Sequence, residues 1–162
     1  MNEIELIRAQ LDTERRHVNA VAQACAAPDT APMELRAAAA DYLLCVLGWF
    51  EARDQRLLEL LDGRSGDARA HHALHAALAQ PGASHEALAL HTDTAGVPVS
   101  WLAWAQFIQT LWHPRRAAID ALMAEITRPA DWRAIAAIDA DSILDERRRF
   151  ERVRAACPPG PT

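Results

Sequence analysis

Lysine is absent from this chain, and glycine and cysteine are scarce, with 6 glycines and 3 cysteines among 162 residues. So few glycines leave little material for a phosphate-cradling loop or a dinucleotide-binding turn, and neither pattern occurs. Cys25, Cys45 and Cys157 are odd in number and lack metal-ligand spacing, which argues against a disulfide framework and suits thiols in a reducing compartment. No apolar run approaches the roughly 20 residues that a membrane-spanning helix needs, so no membrane partner is expected. The opening MNEIELIRAQ has no basic stretch followed by an apolar core, so no secretory signal is expected and the predicted location is cytoplasmic. A broad basic face is missing too. The formal net charge is −5, and the RRR run at 147–149 sits among Asp145, Glu146 and Glu151, so nucleic acid is not an expected partner. All 17 basic residues are arginine and alanine is abundant, as GC-rich bacterial coding would give.

What the chain does have is a globular composition, 51% hydrophobic and 24% charged, at a length suited to one domain. Residues 1–157 read as that domain and 158–162 as a flexible tail. Punctuation is sparse, and helical periodicity fills the intervals. Long helices are predicted at about 2–26, 30–61, 100–127 and 131–156, with a shorter helical stretch at 67–80 and a further turn or two in HEALALH. Ser100 is placed to cap the helix at 100, and Asp131 the last one. Pro114 should bend its helix near Leu111. No segment alternates as a strand would. The expected fold is all-α, an antiparallel four-helix bundle with a short helical insertion between the second and third long helices.

At about 100° per residue, each long helix shows an apolar stripe interrupted by an ionisable group. Glu14 lies inside the Ile4, Ile7, Leu11, Val18, Val21 and Cys25 face, with His17 at its edge. Asp54 stands in the stripe of Leu43, Val46, Leu47, Phe50, Leu57 and Leu61, flanked by Glu51. Arg115 interrupts the face of Trp101, Trp104, Ile108, Leu111, Trp112, Ile119, Leu122 and Ile126. Asp139 and Glu146 lie near the centre of the last helix's face. A buried unpaired charge costs several kcal/mol, so these groups should converge on one another, on a metal or on water. Counting back from a turn near 128–130 puts Arg115 level with Glu146, so that a pair is geometrically easy, and Arg115 is expected to be buried against at least one of Glu14, Asp54, Asp139 or Glu146.

Two readings follow from this convergence. Glu14-x-x-His17 sets a carboxylate and an imidazole one helical turn apart, the spacing of carboxylate-bridged metal centres, with Glu51, Asp54, Asp139 and Glu146 as further oxygen ligands. Iron, manganese or zinc would suit such a donor set. Alternatively Arg115 neutralises the carboxylates in a structural network, and the chain is a non-catalytic helical interaction module, expected to be a homodimer, with Cys45 facing outward toward a partner. A third arrangement is a pocket lined by Trp101, Trp104 and Phe50 in which Arg115 receives a small-molecule carboxylate.

The late His17 of the first helix, the WFEARDQRLLELL stretch and the HHALHAAL segment resemble the hemerythrin-like, HHE cation-binding family. That family's second-helix pattern His-Phe-x-x-Glu-Glu falls on Trp49, Phe50, Glu51, Ala52, Arg53 and Asp54, so Trp49 replaces the His and Arg53 the first Glu. The resemblance, over about residues 5–125, implies a four-helix bundle with non-haem iron held by Asp54, His17 and His71 or His75. His113 takes the fourth-helix place by order alone. Oxygen or redox chemistry would come with that family. A ferritin-like carboxylate centre is similar, but one ExxH stands here instead of two.

The remaining signals read as structural. Five histidines, His71, His72, His75, His85 and His91, crowd the insertion without any cysteine, and this segment is expected to bind no ion and to be the most mobile. The tryptophans at helical spacing are core, with Trp101 the one that could reach a pocket mouth. Cys25 and Cys157 fall on apolar faces. No Ser or Cys has a His placed beside it for nucleophilic catalysis.

Overall fold

The structure is a computed structural model that describes residues 2–25, 31–62, 72, 75–76, 78–79, 85–90, 92, 100–124, 126 and 128–158. Among these, every regular element is helical: α1 (Glu3–Cys25), α2 (Met33–Asp62), α3 (His85–Ala89), α4 (Trp101–Phe107), a π turn (Ile108–Trp112), α5 (His113–Ala124), α6 (Pro129–Ala136) and α7 (Ala140–Ala156). The expected all-α class is what folds. His71 and His91 lie outside the described residues, as does the side chain of Cys25.

Local chemistry explains the boundaries. Asn2 and Glu5 cap the start of α1 reciprocally, the Glu5 N–H donating to Asn2 Oδ1 at 2.9 Å and the Asn2 N–H to Glu5 Oε2 at 2.6 Å. Ser100 caps α4 through its hydroxyl, which accepts from the Ala103 N–H at 3.2 Å. The bend expected from Pro114 takes a specific form. Proline has no N–H and its ring crowds the carbonyl of Thr110, four residues back. The preceding turn widens to a π turn, and the His113 N–H reaches Ile108 O instead.

The helix expected over 131–156 is two helices. Pro129 opens α6 at its first turn with Arg128 as the capping residue, so Asp131 lies within the helix rather than at its cap. Ala137 ends α6 in the left-handed region, φ 43°, and Asp139 then caps α7. A non-glycine residue pays for that conformation in Cβ crowding, and the break persists because arginines of α2 hold the last carbonyls of α6. Arg53 Nε donates to Ala136 O at 2.9 Å and an Arg56 N–H to Ile135 O at 3.4 Å.

α2 is the central element, packing against α1, α3, α6 and α7, while α1 also lies on α4, α6 and α7. The core between them holds Val18, Tyr42, Leu43, Leu47, Leu57, Leu88, Trp101, Trp104, Ile108 and Ile119, all with no exposed surface. Trp101 is therefore wholly enclosed rather than at a pocket mouth. Cys157 sits just beyond α7 in extended backbone and is exposed, not core, because α7 stops at Ala156.

Candidate functional site

The interior carries more charge than a helical core of this size needs for shape. Glu14, Asp54 and Glu146 are 0–2% exposed, and Arg53, Arg115 and Arg116 are 4–7% exposed. Each carboxylate is taken by groups of the protein itself. Arg53 grips Glu14 with both terminal nitrogens, at 2.5 Å to Oε2 and 3.4 Å to Oε1, and Gln10 adds a 3.3 Å contact to Oε1. Asp54 accepts from Arg116 at 2.6 Å and from Arg115 at 3.4 Å. The network continues outward, from Arg116 Nε to Asp120 at 2.9 Å and from Arg15 to Asp120 at 3.1 Å. Phe50 lies under two of these cations, with the guanidinium carbons of Arg53 and Arg116 each 5.2 Å from its ring centre.

Glu146 is different in kind. Its Oε1 accepts from the Tyr42 hydroxyl at 2.8 Å and lies 2.6 Å from His17 Nδ1. The imidazole stacks on Phe150 with centroids 3.7 Å apart and planes 7° from parallel. His17 is about a quarter exposed and lines a recess of about 310 Å³ with Gln10, Thr13, Arg147, Phe150 and Arg154. Burial, and next the neighbouring Glu146 carboxylate, push the Tyr42 hydroxyl far above the ordinary phenol range, so Tyr42 remains a donor.

The six carboxylate and imidazole groups expected as ligands thus do not share one centre. Glu14 belongs to Arg53, Asp54 to Arg115 and Arg116, and Glu146 to His17 and Tyr42. Glu51 is half-buried on the other flank of α2 and holds His85, accepting from its backbone N–H and contacting Nδ1, each at 2.6 Å. Asp139 is exposed: its Oδ1 accepts from the Ser142 N–H at 2.7 Å and hydroxyl at 2.8 Å. Those bonds hold its carboxyl below the usual range. The helical break at Ala137 removes Asp139 from the continuous stripe on which the sequence placed it. Among the described residues no three His, Cys, Asp or Glu side chains come together as a metal-holding group. The donor chemistry agrees, since guanidiniums already occupy the oxygens of Glu14 and Asp54 that an ion would need. His72 and His75 are exposed, and His113 is half-buried against Trp112, where burial lowers its pKa.

Arg115 is buried and touches Asp54, one of the carboxylates expected for it, while the pair with Glu146 that hairpin counting made easy does not form. Two features displace the pairing. The break at Ala137 invalidates counting residues back along a single hairpin, and the π turn adds one residue to a turn of the preceding helix. Residues downstream are thereby rotated by up to about 100°. This turn brings Arg116 and Met123 inward, while Leu111 and Leu122 are only partly covered. Sequence reasoning missed Arg53, Arg116 and Tyr42. Arg53 and Tyr42 were legible as polar groups on the buried side of α2, whereas Arg116 required knowledge of the π turn. Compared with protein-family models, curated proteins and solved structures, the chain matches none.

Proposed function

We propose that this chain is a non-catalytic helical binding module, a four-helix antiparallel bundle in which the buried arginine–carboxylate network sets helix register rather than reacting. The observation that carries this reading is the occupancy of the buried carboxylates, with Glu14 under a two-pronged arginine and Asp54 between two more. Such groups fix which helix faces meet, because any slip would strand a charge in a medium that cannot solvate it. Polar networks of this kind favour one arrangement over near alternatives at little net gain in stability.

The competing reading is a non-haem iron, manganese or zinc site built on His17 and Glu146, and metal analysis separates the two. The network reading expects protein purified without chelator to carry no stoichiometric metal. Added ferrous iron, manganese or zinc should leave its melting temperature unchanged, since a specific ion would raise it by mass action. Stoichiometric metal that is lost on His17→Ala would overturn the proposal in favour of the metal centre.

A further inference from the structure

The groove between α1 and α7 has two recesses that share Gln10, Thr13 and Ile143 and so form one crevice. Its larger part, about 670 Å³, is lined by Leu6, Ile7, Ile138 and Ile143 and is bordered by the Glu3–Arg133 ion pair. Leu6 keeps 51% of its surface exposed there. The smaller part is the polar recess beside His17 and Glu146. We propose that this crevice binds an amphipathic carboxylate, an acyl or aryl-alkyl acid whose tail lies on Leu6, Ile7 and Ile138 and whose head meets Arg147.

Charge complementarity selects the head group. Arg133 is held by Glu3 and Arg154 by Glu151, at 3.0 and 3.3 Å, so the lining arginines at either end are already paired. Arg147 lines the polar recess and forms no ion pair or hydrogen bond among the described residues. A guanidinium presents a planar fork that matches a carboxylate, and an apolar trench leading up to it matches a hydrocarbon tail. From Ile7 to His17 the crevice follows α1 for about 15 Å, which sets the length of the ligand. The volumes lie in the range of sites that enclose small molecules, roughly 300–1,000 Å³.

This inference rests on the binding-module reading and names its ligand class, and it uses a test that does not involve metal. Calorimetric titration of the full chain with sodium decanoate, kept below its micelle concentration, should show saturable binding at one site. Butyrate, with the same head and a short tail, and decyltrimethylammonium, with the same tail and opposite head, should bind at least about tenfold more weakly. Arg147→Glu and Leu6→Asp change exposed side chains and should each weaken decanoate binding by about tenfold or more while leaving the melting temperature in place. Absence of saturable decanoate binding overturns the proposal. So does equal affinity for the cationic analogue, or affinity untouched by both substitutions. A dimer in sedimentation that Leu6→Asp dissolves would assign the crevice to a second copy and overturn it likewise.

Discussion

Replacing Arg53 by methionine isolates the strongest claim about the interior. Arg53 is 4% exposed and its guanidinium does three things: it pairs with Glu14 through two nitrogens, donates to Ala136 O at 2.9 Å, and lies over Phe50. Methionine keeps most of the stem volume and removes the charge. Glu14, with no exposed surface, would then be a carboxylate in a low-dielectric core with only the Gln10 amide at 3.3 Å to answer it. Removing one member of a buried pair costs about 3–5 kcal/mol. The orphaned carbonyl of Ala136 adds about 1 kcal/mol. A loss of roughly 4–6 kcal/mol is a large part of the 5–15 kcal/mol typical of whole domains.

Urea denaturation followed by circular dichroism would read this loss. With a slope of about 2 kcal/mol per molar, the midpoint should fall by about 2–3 M. The decisive comparison is the double variant Arg53→Met with Glu14→Leu, which removes both charges. It should regain most of the stability and come within about 1 kcal/mol of the parent, because an apolar replacement of a buried pair is often neutral or better. Added salt should not mimic the single substitution, since screening acts weakly on enclosed charges. A single variant within about 0.5 kcal/mol of the parent would refute the reasoning, as would a double variant whose losses simply add.

Thiol reactivity and acid titration give two more tests. Cys157 is exposed, whereas burial raises the pKa of the half-buried Cys45 thiol, so alkylation at mildly basic pH followed by peptide mapping should label Cys157 well before Cys45. Comparable rates at the two sites would contradict the partial burial of Cys45. Asp139→Ala should lower the melting temperature by removing the α7 cap, while Asp139→Asn keeps an acceptor and should lose less. Because the folded-state pKa of Asp139 is depressed, its contribution is present above the ordinary carboxyl value near 3.9 and disappears as pH falls through the depressed folded value. The gap in melting temperature between the parent and Asp139→Asn should close on acidification over that window, and a constant gap would refute the role of the charge.

Helix content and the polar interior were legible because period and composition depend on short stretches of chain. The placement of Glu14, Asp54 and Glu146 on buried faces follows from heptad-scale arithmetic, and the structure encloses all of them. The pairing was not legible to the same degree, because it depends on helix phase. One left-handed residue, Ala137, separates Asp139 from the stripe it seemed to join, and one widened turn moves Arg116 inward. Neither signal has a strong sequence mark. Alanine is an ordinary helix former, and Pro114 announces a distortion without specifying a π turn. The Asp139 and Ser142 spacing did carry a capping signal, which the apolar periodicity around it obscured.

The adjacent arginines of α5 have a consequence for how this chain tolerates change. In a regular helix Arg115 would look toward Asp54; with the π turn in place Arg116 makes the closer contact at 2.6 Å and Arg115 the longer one at 3.4 Å. Either phase therefore presents a guanidinium to the same carboxylate. Deleting one residue within the π turn would restore a regular helix and leave Arg116 in the place it now holds, whereas closing the π turn at full length would hand that place to Arg115. The doubled arginine thus makes the neutralisation of Asp54 insensitive to whether the extra residue of the π turn is present or absorbed.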